Sequence, residues 1–121
     1  MTVITPIAFG AATPAAPTQR PAFFTRAELH DILRLYGRMV AAGHWRDYSI
    51  ELGDGLIGFS AYRRTSEMPH CRIVKEPRQA ARHGAFRLIG AGGVVLKRGH
   101  RLKTVLKPLE TKLLKLVVAD D

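Results

Sequence analysis

Six side chains able to bind metal or move protons at neutral pH stand out in this 121-residue chain: His30, His44, His70, His83, His100 and the single cysteine, Cys71. A zinc site draws its ligands from short, regular spacings such as H-x-x-x-H, H-E-x-x-H or paired C-x-x-C, and the chain has none of these, so no metal is expected. Cys71 beside His70 has the makings of a thiol and its base. Neighbours on a strand point to opposite faces, however, so Cys71 is expected to be a small buried hydrophobe. The run Gly90-Ala91-Gly92-Gly93 has the glycines of a phosphate loop, but Val94-Val95-Leu96 continues it as a strand where such loops need a helix amino terminus; it reads as a hairpin turn. Arg63-Arg64-Thr65-Ser66-Glu67 has the composition of a basophilic kinase site and reads as a polar connection. Glu28 is committed to a helix cap and Asp54 to a turn, and Glu51 and Glu67 have no partner carboxylate. No general acid and base pair is nominated, so no catalytic residue and no cofactor are expected, and the chain reads as a non-enzyme.

What remains is charge. Nineteen Lys and Arg oppose ten Asp and Glu, for a net charge of +9. Residues 1–71 hold seven cations against six acids, residues 72–115 twelve against two, and residues 116–121 none against two. Segregation of one sign builds a local potential that holds polyanions, so the first expected partner is RNA or DNA. The residues nominated to contact it are Arg63, Arg64, Lys97, Arg98, Arg101 and Lys103. Lys103, Lys107, Lys112 and Lys115 would also appear on any solvated helix face. Lys97, Arg98 and Arg101 instead gather where a strand ends and a helix begins, against the helix dipole, at a cost of a few tenths of a kcal/mol by rough estimate. Ion pairs to Glu67, Glu76, Asp120 or Asp121 are the competing explanation. Trp45, the sole tryptophan, could stack on a base or anchor a partner, although an aromatic residue just after a helix is more often a lid on the core. A second function class is an interaction or assembly subunit that binds an acidic protein or itself through an open sheet face.

These side chains must be positioned by a small fold. At 46% hydrophobic the chain is too apolar to be disordered throughout, and no apolar run approaches the roughly 18 residues of a membrane span, so a soluble protein with no membrane partner is expected, in the cytoplasm by default. Residues 1–22 carry four of the seven prolines and one charge, Arg20, and read as a flexible tail, with Val3, Ile4 and Ile7 to Phe9 as the pieces able to dock. Residues 23–121 form one compact domain. Thr25 and Glu28 make a capping box, with Phe24 stapled to Leu29. The stripe Leu29, Ile32, Leu33, Tyr36 and Val40 then predicts a helix closed by Gly43. Alternation predicts strands over 48–52, 57–61, 70–75, 86–89 and 94–97, with a tight turn at Gly53 to Gly55 and a helical turn at Pro77 to His83 closed by Gly84. A last helix carries Leu102, Val105, Leu106, Leu109, Leu113 and Leu116 on one stripe, with a kink or break expected near Pro108. The fold class is α+β: an antiparallel sheet of about five short strands, with the N-terminal and C-terminal helices packed on one face and the other face open.

The pieces LYGRMVAAGHWRDY (Leu35 to Tyr48), FSAYRRTSE (Phe59 to Glu67) and GGVVLKRGH (Gly92 to His100) resemble a family of short bacterial proteins catalogued as domain of unknown function 2794, over about residues 23–117. The resemblance implies a single compact domain in a bacterial cytoplasm and carries over no catalytic residue. It draws attention to Arg38, His44, Trp45, Arg46, Arg63, Arg64, Lys97, Arg98 and His100 within those pieces.

Overall fold

Thr25 caps the first helix in the computed structural model as its sequence requires: its hydroxyl accepts from the Glu28 amide at 3.1 Å, and the Glu28 carboxylate accepts from the Thr25 amide at 2.8 Å. The structure describes residues 2–6, 21–64 and 68–119, the first five and the last of these by backbone alone. In chain order the elements are β1 (Thr2–Pro6), α1 (Arg26–Ala41), β2 (Asp47–Gly53), β3 (Leu56–Tyr62), β4 (Cys71–Lys75), β5 (Phe86–Gly90), β6 (Val95–Gly99) and α2 (Leu102–Ala119), with short 3-10 turns at Pro77–Gln79 and Ala91–Gly93.

One sheet runs in sequence order from β1 to β6. Strands β2 to β6 are antiparallel neighbours, as the hairpin signals required. Strand β1 lies parallel to β2 at the edge, Thr2 opposite Tyr48 and Pro6 opposite Leu52. This corrects the expectation of a tail over residues 2–6: Thr2, Val3, Ile4 and Thr5 are all β-branched, and they pair with backbone groups that β2 would otherwise leave at a free edge. The rest of that expectation, residues 7–20, lies outside the described residues.

Phe59, Ile73 and Leu88 sit opposite one another across β3, β4 and β5, all fully buried. Both helices cover this row, α1 with Ile32, Leu35 and Met39, and α2 with Leu102, Val105, Leu106, Leu109 and Leu113. The α2 stripe is the one its spacing predicts. The α1 stripe is turned relative to prediction, with Leu35 and Met39 buried and Val40 exposed, because the helix is fixed by what it meets on the sheet as well as by its own periodicity. Pro108 does not divide α2, which runs unbroken through it. Thr104 and Pro108 are both partly exposed, so water can reach the carbonyl that the proline leaves unpaired.

The second sheet face is not open at its centre. Glu51, Ser60 and Val74 are buried there, and the polar groups satisfy one another: the Ser60 hydroxyl donates to the Glu51 carboxylate, Arg72 Nε donates to Ser60 Oγ at 3.1 Å, and Arg72 Nη2 pairs with Glu51 Oε2 at 3.2 Å. A buried carboxylate is tolerable only when it is paired and bonded in this way, and the centre of this face is therefore a closed network, where an open docking surface was expected.

Gly84 closes the helical turn at φ +93°, and a Cβ there would lie 2.1 Å from the Gly99 carbonyl oxygen at the end of β6. Gly92, at φ +81°, faces open space. Gly84→Ala is expected to cost at least about 2 kcal/mol of unfolding free energy, and Gly92→Ala about 1 kcal/mol for the left-handed backbone alone, as read from urea denaturation midpoints.

Candidate functional site

Helices α1 and α2 start from the same end of the sheet. Glu28 in the first turn of α1 accepts from Lys75 Nζ at 2.7 Å; Lys75 faces Phe86, Phe86 faces Gly99, and α2 begins three residues later. Lying side by side, the helices leave between their outer flanks a cleft of about 410 Å³. Arg34 and Arg38 line it from α1 and Lys103 and Lys107 from α2, above Leu35 and Leu106, with Asp31 and Glu110 as the only acids. Two acids against four cations leave the cleft electropositive, and no ion pair within 4 Å engages any of these four cations among the described residues.

Of the six nominated cations, Lys103 enters this cleft. Arg98 and Arg101 lie at the same end of the sheet as the start of α2, and Lys97 lies on the exposed outer strand. Arg63 and Arg64 lie at the other end, since β3 finishes beside Cys71, which faces Gly90, whereas Gly99 faces Phe86. Four residues of β5 separate those ends, roughly 13 Å at strand rise. The fold therefore places Arg101 and Lys103 together at the start of α2, turns Arg98 to the opposite sheet face beside Arg87, and sets Arg63 and Arg64 apart. The competing ion pair with Glu76 does not form: Glu76 accepts from Arg87 Nη1 at 2.8 Å and from Arg78. Burial alone would raise the Glu76 pKa, but hydrogen bonds and charge from Arg87 and Arg78 outweigh it and hold the carboxyl below its ordinary range. Glu67, Asp120 and Asp121 lie outside the described residues, as do Thr65 and Ser66 of the kinase-like motif.

Arg34 and Arg38 were not among the nominated contacts; helical periodicity places them toward solvent, and only the neighbouring helix turns that flank into a cleft wall. Trp45 takes the core role that its position after a helix favoured, and not that of a stacking platform or partner anchor. At 1% exposure it belongs to the core, stacked beside Tyr36 with ring centroids 6.0 Å apart, and it offers no free ring to a base.

Trp45 organises a second cluster that sequence spacing could not reveal. Gly43 turns the chain at the end of α1, delivering His44 and Trp45 under the sheet's end, where His70 arrives just before β4. Trp45 Nε1 donates to His70 Nδ1 at 3.3 Å, which places the proton of neutral His70 on Nε2. His44 meets His70 edge to face at 4.7 Å and is 4% exposed, with its Nε2 lacking a hydrogen-bond partner. Burial first, then the charges of His70, Arg63 and Lys112, push the His44 pKa down to about 4; burial, Lys112 and Arg63 lower that of His70. Cys71, next along the chain, is buried and its thiol is pushed up to about 12, which leaves it unreactive at neutral pH. Nearby cations disfavour a metal here, and among the described residues no three His, Cys, Asp or Glu side chains converge.

An imidazole held neutral well below its ordinary pKa of 6.5 makes the unfolded state the better proton acceptor, so His44 contributes stability above pH 6.5 that is lost as pH falls through about 4. Unfolding free energy is expected to fall by up to about 3 kcal/mol from this group between those limits. Urea midpoints at several pH values check it, and His44→Leu should remove this group's share of the slope and leave that of His70.

No helix among the described residues is long and apolar enough to cross a membrane. A search of curated proteins and one of solved structures each find no match. A family model described as a protein of unknown function, DUF2794, matches residues 22–106. That span covers most of the chain, from the residue before Phe23 through the first turn and a half of α2, and takes in the capping box, the His44 and His70 cluster and all five antiparallel strands. The chain belongs to the DUF2794 family of proteins of unknown function.

Proposed function

We propose that this protein is a non-enzymatic binding module that contacts nucleic acid, RNA or DNA, through the basic surface formed by β6, the start of α2 and the cleft between the helices. The observation that supports this reading is the set of cations with no ion pair among the described residues: Arg34, Arg38, Lys103 and Lys107 around one cleft, with Arg101 just before α2. Four cations around a cleft that holds two acids leave a net positive charge that a polyanion stabilises. Helix α2 has no acidic residue in its first turn, so its exposed amides add to the same potential. Arg63 and Arg64, at the far end of the sheet, would contribute only to a longer ligand.

A second reading, an interaction subunit that binds an acidic protein or a second copy of itself, is favoured by β6. It is the outer strand of the sheet, and Val95 and Leu96, together with Val94 just before it, are exposed. The register shift opposite Leu88 and Ile89, with Lys97 and Arg98 following, is also how natural proteins discourage pairing at such an edge. That ranks this reading second.

Anisotropy of labelled RNA and duplex DNA, titrated with protein at low and moderate salt, tests the first reading. Binding should weaken with salt at a log–log slope of roughly −3 to −4 if the four cleft cations each displace a counterion. Lys103→Glu with Lys107→Glu should lower affinity at least about tenfold by the same electrostatic argument. Absence of binding at low salt, with a salt-insensitive homodimer by light scattering, would favour the second reading.

A further inference from the structure

Stacking, base-edge recognition and backbone charge are three different ways to hold nucleic acid, and the residues at this surface supply only the third. Of the nine aromatic residues, Trp45, Phe59 and Phe86 are buried, and Phe24, Tyr36 and Tyr48 pack on the same core. Tyr62 is half-buried, with its hydroxyl 3.0 Å from Ser49 Oγ, and Phe9 lies outside the described residues. Phe23 is the one exposed ring described, at 62%, and it sits before α1 with its carbonyl bonded to Lys75. One ring is not a platform for successive bases, which is how single strands gain affinity beyond charge.

Base edges fare no better. The chain contains no asparagine, and its two glutamines, Gln19 and Gln79, lie outside both helices, so neither helix can pair with adenine in the usual bidentate way. The cations of α2 are all lysines, which act as point charges. Arg34 and Arg38, which could fork onto guanine, line the cleft across from Lys103 and Lys107. Opposite two lysines, they suit phosphate oxygens, the commonest acceptors in protein–DNA complexes.

We infer that this surface binds the phosphate backbone of duplex nucleic acid without regard to sequence, and prefers a duplex to a single strand. The inference rests on the proposed function and narrows it. With a single exposed ring among the described residues, affinity follows charge density, and a duplex presents one phosphate per about 1.7 Å of axis, roughly twice the density of one strand.

The test is anisotropy of the full chain with three duplexes of unrelated sequence and with the single strands that compose them, each over a range of salt. The duplexes should bind within about threefold of one another and each single strand at least about fivefold more weakly, as expected for backbone contacts alone. The salt slope should be the same for all duplexes and should drop by about one for Lys107→Met and for Arg38→Met. A duplex preferred beyond that margin, or a single strand bound as tightly as its duplex, would overturn the inference and leave nucleic-acid binding standing. Failure of every probe at low salt would remove both.

Discussion

Phe59, Ile73 and Leu88, aligned across three neighbouring strands, are the apolar row on which the rest of this structure depends. Each contributes roughly 1.5–3 kcal/mol when fully removed from water, and no single helix spans the face that the row and its neighbours Ala61, Cys71 and Phe86 create. Two helices are needed, and they must lie side by side. Packed so, they share a junction whose inner side is leucine and whose outer side is whatever the sequence placed on the adjoining flanks. Here those flanks carry Arg34, Arg38, Lys103 and Lys107. The cationic cleft is thus a consequence of covering the sheet.

The cations of the chain are sorted by the same architecture. Four on or beside β4 and β5 are neutralised: Lys75 by Glu28, Arg72 by Glu51, and Arg78 and Arg87 by Glu76. Glu51 and Glu76 are both buried, so each must keep its partners to be tolerated as a carboxylate. With the buried acids committed, few described acids remain for the helix flanks, and the positive potential collects there. Net charge alone would not have distinguished the arginines that hold the sheet together from those left facing outward.

The His44, Trp45 and His70 cluster shows the opposite balance. It lies inside the family-matched region at the junction of the α1 turn, the β4 entry and the second half of α2, and its imidazoles are neutral because burial and nearby cations make protonation costly. Its indole to imidazole hydrogen bond ties residues 25 positions apart, which gives the loop before β4 a fixed point on the core. A directional hydrogen bond so enclosed fixes the relative orientation of the Trp45 and His70 rings.

Local chemistry was legible in the sequence. Thr25 and Glu28 fixed where α1 starts, alternation over residues 48–52 and 57–61 fixed a hairpin, the leucine spacing fixed the buried side of α2, and the grouping of strands between helices fixed the α+β class. The cap, the alternation and the leucine spacing each act between residues close in sequence, where backbone geometry dictates which side chains are neighbours. Tertiary structure alone decided that Thr2 to Pro6 adds a sixth, parallel strand, that the second sheet face closes over Glu51, Ser60 and Arg72, that His44 meets His70, and that Arg34 and Arg38 join Lys103 and Lys107. Three of these join segments far apart in the chain, and the Glu51, Ser60 and Arg72 network joins side chains across three neighbouring strands. No periodicity within a segment encodes which distant surface it will meet, because that choice is made by packing of the whole core at once.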